Sequence, residues 1–265
     1  MTPDGLPAEG AVTVLSLFGV LEGHLADAAL GLSLFEQALA AHLRAVEGER
    51  RAWEEHAEAT SALMNTPEVR VAEGAVRRAV LAGRITSQEA SRARDDLLDT
   101  VDLQARRQQW AAGQLPFAYS QRLLHIHAHS VLYALAGIHK ALRVLAQISG
   151  LPAGVAAAYQ AHAAALPDLT AVRNSAQHIE DRARGVGPGN RVITLRPVTN
   201  QAIYAPDGNV LIMGVLSGNR LGYTAADGSY REVEVSAATV RVARDAIQEA
   251  LDAITWQGFG RTVPR

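Results

Sequence analysis

Apolar residues recur at three- and four-residue steps from about Val12 to Gln109. Leu34, Ala38, Ala41 and Ala45, with Phe35, Leu39 and His42 beside them, show the repeat of an amphipathic helix. The stretch from Arg44 to Glu58 is dense in charge and reads as a solvated helix face laced with i,i+4 pairs. Asn65-Thr66-Pro67-Glu68 predicts a helix stop and restart, with Thr66 as cap and Pro67 at the first helical position. A second cap lies within Arg84 to Glu89, where Ser87 leads into Ala90, Ala93, Leu97, Leu98 and Val101. Gln114-Leu115-Pro116 breaks the chain before a strong helix from about Phe117 to Ile148. That helix carries Leu124, Ala128, Val131, Leu135, Ile138, Leu142 and Leu145. A short alanine-rich helix near Ala153 to Leu166 follows. Pro167-Asp168 opens another helix running to about Arg184, which Gly185-Val186-Gly187-Pro188-Gly189 terminates.

Beyond those glycines the period changes to two. Val192 to Leu195, Gln201 to Ala205, Asn209 to Leu216, Leu221 to Thr224 and Tyr230 to Val235 predict short strands. Asp207-Gly208, Ser217-Gly218-Asn219 and Asp227-Gly228 supply the turns. Ser236 caps a final helix with Val240, Ala243, Ile247, Ala250, Leu251 and Ile254 facing inward. The expected fold is mainly α: an antiparallel helical bundle with a small antiparallel β-meander inserted before the C-terminal helix. Residues 1–10 are expected to be a flexible N-terminus, 11–184 the bundle and 190–235 the meander. The helix of 236–257 packs back on the bundle or the meander.

Composition removes several chemistries. The chain has 265 residues, 48% of them hydrophobic, and a net charge of −2, which argues against a broad basic face for duplex DNA. It has no cysteine, which excludes disulfides, thiolate catalysis, iron–sulfur clusters and cysteine-based zinc sites. Lys140 is the only lysine, so the positive charge is carried by arginine, the better ligand for phosphates and carboxylates. The first ten residues are polar and lack a basic targeting region. The apolar run from Ala11 to Phe35 is interrupted by Glu22, His24 and Asp27, so a cytoplasmic chain without a membrane span is expected.

The candidate chemistry lies in Arg173-Asn174-Ser175-Ala176-Gln177-His178-Ile179-Glu180-Asp181-Arg182. On one continuous helix, Leu166, Leu169, Val172, Ala176, Ile179 and Ala183 form the buried stripe. Asn174, His178 and Asp181 then share another side, and Arg173 is about 140° around from His178. The set offers an imidazole that titrates near neutral pH, a permanent cation, an amide and a carboxylate to orient the ring. Metal-free RNA cleavage needs such groups: an acid or base for the 2′-OH and the leaving oxygen, and a cation for the phosphoryl oxygens. Two copies across a two-fold axis would bring both half-sites onto one phosphate. Arg51 to His56 and Arg122 to His127 also match the Arg-to-His spacing, but only Arg173 is followed by the polar Asn174 and the continuation through Asp181.

Arg173-Asn174-x-x-x-His178 on a late helix of a helical bundle resembles the motif of the HEPN superfamily. The resemblance covers roughly residues 115–184. It implies a bundle that dimerises through its motif helices and, in active members, a metal-independent endoribonuclease of the toxin or phage-defence kind. Arg173 and His178 would then be catalytic, with Asn174 and Asp181 in support. No cofactor is implied, and the partners would be a second copy, an RNA substrate and a cognate antitoxin or other partner protein. A non-catalytic HEPN-like scaffold that uses the same helix for dimerisation or binding is the alternative.

His125-Ile126-His127-Ala128-His129 is a second cluster. On a helix His125 and His129 face together and form a two-histidine metal site in outline, but no acidic residue lies between Asp102 and Asp168 to complete it. Tyr204, Tyr223 and Tyr230, with Arg220 and Arg231, would make a stacking surface for single-stranded nucleic acid if they shared one face of the meander. The glycine-rich segment after Arg184 follows a helix and reads as a connector. No phosphate-binding loop with its lysine and no Gly-x-Ser-x-Gly elbow occurs.

Overall fold

The computed structural model describes residues 2–4, 6–113 and 117–257. Among these the chain forms nine α-helices and small antiparallel sheets near its C-terminal end. It divides into two compact units: Met1–Glu36 with His125–Arg265, and Gln37–Leu124. The helical stretch 11–184 is thus shared between the units, with the boundaries falling inside α1 (Ala8–Glu47) and α5 (Phe117–Leu145).

The larger unit is built on a heptad pattern. Ala11, Val14, Phe18, Leu21, Leu25, Ala28, Leu32 and Phe35 of α1 alternate three- and four-residue steps and are all buried. Ala128, Val131, Leu135, Ile138, Leu142 and Leu145 of α5 repeat the pattern. The two helices run antiparallel and close. A Cβ at Gly31 would lie 3.1 Å from Val131 and one at Gly137 would collide with the His24 ring, so glycine permits both approaches. By length and composition α1 over Ala8–Arg44 is apolar enough to cross a membrane, with mean hydropathy 1.3, a property that core helices share. One-third of that apolar window is buried, along the stripe that faces α5, and signal sequences near an N-terminus share the same composition. The expected loose N-terminus is instead partly paired: β1 (Thr2–Pro3) lies antiparallel to β7 (Trp256–Gln257), and the Asp4 amide donates to the Thr255 carbonyl.

Helix α6 (Ala153–Ala165) packs closely on α9 (Ala237–Asp252), where Ala243, Ala246 and Ala250 leave room for it. Ser236 caps α9 as expected, its Oγ accepting from the Thr239 amide at 3.3 Å. The meander is β4 (Met213–Ser217), β5 (Arg220–Thr224) and β6 (Tyr230–Glu234), in that spatial order. The other expected strands shrink: β2 (Val198–Thr199) pairs with β3 (Tyr204–Ala205), and Val192 makes only a bridge to Val186. One face of the meander covers α7 (Leu169–Gln177) and α8 (Ile179–Ala183), so the sheet supports the motif segment directly.

The smaller unit comprises the end of α1, α2 (Glu49–Met64), α3 (Pro67–Leu81), α4 (Ser87–Ala111) and the start of α5. The charge-dense stretch is interrupted at Gly48, which divides it between α1 and α2. Thr66 precedes Pro67 as expected, but its hydroxyl donates back to the Leu63 carbonyl at 2.8 Å and caps nothing. Thr86 and Glu89 form a reciprocal capping box at the start of α4. The expected break at Gln114-Leu115-Pro116 lies outside the described residues.

Candidate active site

The motif helix is broken where it was expected to be continuous. His178 stands between α7 and α8 with φ −111° and ψ 45°, which resets the phase of the following turn. The buried face therefore runs through Leu169, Val172, Ser175 and Arg182, and Ile179, expected in the stripe, is exposed. Burial of Arg182 is made tolerable by its partners: Nη1 donates to the Val186 carbonyl at 2.7 Å and Nε to Ser175 Oγ at 3.4 Å. Arg231 on β6 reaches Asp168 at 3.1 Å and ties the sheet to the start of α7. These contacts hold the motif backbone from behind.

Arg173 and Asn174 are half-buried, and the Arg173 guanidinium donates to Asn174 Oδ1 at 2.8 Å. Asn174 thus fixes the cation, which gives its supporting place beside Arg173 a definite geometry. His178 is exposed, with Nδ1 3.8 Å from Glu180 and 4.0 Å from Asp181. These are ion-pair separations, too long for hydrogen bonds. Asp181 is itself bonded to Arg184 at 2.5 Å, so it does not orient the imidazole. Glu180, part of the quoted stretch but given no role there, stands slightly nearer the ring than Asp181. Among the described residues, His178, Glu180 and Asp181 have ligand atoms within 4.8 Å of one another, and a cation there would compete with Arg184 for Asp181.

His125 and His129 do face together, but toward the sheet. His129 Nδ1 donates to the His125 carbonyl at 2.7 Å, which leaves Nε2 to accept from the Tyr223 hydroxyl at 2.5 Å. His125 Nε2 donates to the Gly214 carbonyl at 3.1 Å. With both nitrogens of His129 engaged, the pair bolts α5 to the sheet and is not an open metal site. The tyrosines expected to stack do not share one face of the meander: Tyr204 is exposed but lies on β3, outside that sheet. Tyr223 is buried, the Tyr230 hydroxyl points inward, and Arg220 is held by Glu232 and Glu234. Burial, aided by Glu232, pushes Tyr230 up to about 12.

Two further groups gave little sign in the sequence. Tyr133 on α5 stacks on His129 at 6.0 Å between ring centroids, and burial raises its pKa against the opposing charge of Arg173. His162, 1% exposed, has both ring nitrogens without a partner and lies 5.6 Å from His139 between centroids. Burial, followed by the His139 charge, pushes His162 down to about 4. Burial and Arg143 lower His139 in the same direction. No spacing rule links positions 139 and 162; only the packing of α6 on α5 joins them.

Compared with family models, curated proteins and solved structures, the chain matches none.

Proposed function

We propose that this chain is a HEPN-like, metal-independent endoribonuclease of the toxin or phage-defence type, working in the cytoplasm as a homodimer through its motif segment. The observation that carries the reading is the arrangement of Arg173, Asn174 and His178. A half-buried guanidinium is fixed by its neighbouring amide, and four residues beyond that amide a helix break presents an imidazole to solvent. In this reading His178 moves the proton of the 2′-OH or of the leaving oxygen, and Arg173 stabilises the phosphoryl oxygens. Asn174 holds Arg173 in place, and Glu180 and Asp181 flank the imidazole. A cognate antitoxin would act by covering this exposed segment.

The test is RNA cleavage in excess EDTA by the wild type, His178→Ala and Arg173→Ala. Cleavage by the wild type with a loss of about 100-fold or more in His178→Ala is expected. Equal activity in the two, or none in either, removes the enzyme. The second reading, a non-catalytic HEPN-like dimerisation or binding scaffold, draws on the fact that Arg173 is engaged by Asn174 and not by His178. It predicts a dimer or RNA complex that His178→Ala leaves intact.

A further inference from the structure

His139 on α5 and His162 on α6 form a pair of imidazoles that the motif chemistry does not use. Their ring centroids are 5.6 Å apart, yet no hydrogen bond joins them. His162 is 1% exposed, and neither of its ring nitrogens has a partner among the described residues. His139 Nδ1 is buried and unpartnered in the same way. Buried polar atoms in folded proteins are satisfied by protein groups, ordered water or an ion, so orphaned nitrogens on two touching rings point to a ligand. The half-buried ring of Tyr159 stands beside the pair, 5.3 Å from His139 between centroids. The charge that acts on His139 from its own helix is that of the exposed Arg143.

We propose that His139 and His162 are the protein ligands of a divalent ion of the zinc class, which clamps α6 to α5. The spacing of the rings suits this. Zinc binds an imidazole nitrogen at about 2.0–2.1 Å, which places each ring centre about 3.2 Å from the ion. Two such rings at tetrahedral to trigonal angles stand about 5–6 Å apart, the separation found here. Imidazole ligates in its neutral form, and burial keeps His162 neutral at pH 7. Imidazole nitrogen suits zinc, copper and nickel, whereas calcium and magnesium require the oxygen ligands that the pair lacks. Arg143 opposes a cation, but its side chain is exposed and solvent screens it. Water completes the coordination from the half-buried side of His139. The site uses neither Arg173 nor His178 and stands apart from the ribonuclease reading.

Titration calorimetry of zinc chloride into the metal-stripped full chain tests this. The wild type is expected to bind zinc, and His139→Leu and His162→Leu should each weaken binding at least about tenfold. His178→Ala should leave it within about twofold, although His178, Glu180 and Asp181 also gather ligand atoms within 4.8 Å. Hydrogen exchange on the wild type asks the same question without a variant, in case the leucine substitutions fail to fold. Zinc should slow opening of α6 and leave residues 178–183 unchanged. Absence of zinc binding by the wild type overturns the site and leaves ordered water as the partner of these nitrogens. Undiminished binding in a folded His162→Leu overturns it too, as does binding that disappears in His178→Ala or protection confined to residues 178–183.

Discussion

The two units are both helical but are held together differently. In the larger unit the α1 and α5 heptads, the small-residue seam of α6 on α9 and the inward face of the sheet bury a continuous apolar set. In Gln37–Leu124 the described hydrophobic residues that are buried are Val69, Val101, Ala105 and Leu124, of which only Val101 and Ala105 are fully so. Val71, Leu81, Leu98, Leu103 and Trp110 of the same unit are exposed, and a cavity of about 770 Å³ is lined by α3 and α4. Its helices lean on local devices: the Thr86–Glu89 box and pairs such as Arg106 with Asp102 at 2.6 Å. Such devices contribute tenths of a kcal/mol to about 1 kcal/mol each, whereas packing supplies most helix stability in proteins. The contrast teaches that helical pattern and helical stability are separate properties of a chain.

The comparison breaks most sharply under core truncation. Phe18→Ala, which empties a fully buried site in the larger unit, should cost about 3–5 kcal/mol in urea denaturation. Val101→Ala in the smaller unit should cost about 1–2 kcal/mol. Equal costs would mean that the smaller unit has a core of comparable quality.

Acid is the next largest lever and acts on the larger unit. His162 titrates near 6.5 when unfolded and near 4 when folded. The unfolded state therefore binds more protons between those values, and stability should fall as pH drops from about 6.5 to 4 and level off below. The loss is about 3 kcal/mol, shared in direction by His139. Denaturation at pH 7 and pH 4.5 measures it, and His162→Leu should flatten the slope. An unchanged slope in that variant would show that His162 is not the group responsible.

Smaller effects sharpen the contrast. Thr86→Ala should cost about 1 kcal/mol. Hydrogen exchange should report that loss as faster opening of α4, with α1 and α9 unchanged. Arg220→Ala, on the solvent side of the sheet, should change stability by less than about 0.5 kcal/mol despite its two carboxylate partners, because exposed pairs are screened.

Much of the fold was legible wherever a rule acts over a few neighbouring residues. The 3,4 spacing marked α5, the cap motifs marked the starts of α4 and α9, and the Gly-containing turns marked the two hairpin connections of the three-stranded meander. The candidate site was legible only in part. Periodicity carried the motif helix straight through His178, because nothing in Gln177-His178-Ile179 resembles a helix stop. The break follows from the demands on either side: Ser175 and Arg182 face the interior, and the sheet covers the segment from one side. The same limit explains the histidines on α5. Their spacing correctly put His125 and His129 on one face, but whether that face met metal, solvent or a tyrosine 94 residues away was a question of packing.

By itself, the sequence determined the mainly helical class, the placement of the meander before the last helix, and the absence of thiol chemistry. Each follows from short-range sterics, hydrogen bonding or composition. Tertiary structure alone decided which helices acquired a core, where the motif helix broke, that Asn174 would grip Arg173, and that His139 would meet a His162 whose two ring nitrogens lack hydrogen-bond partners. Those outcomes depend on close packing between segments far apart in the chain, where one glycine at position 31 or 137 sets how near two helices can come.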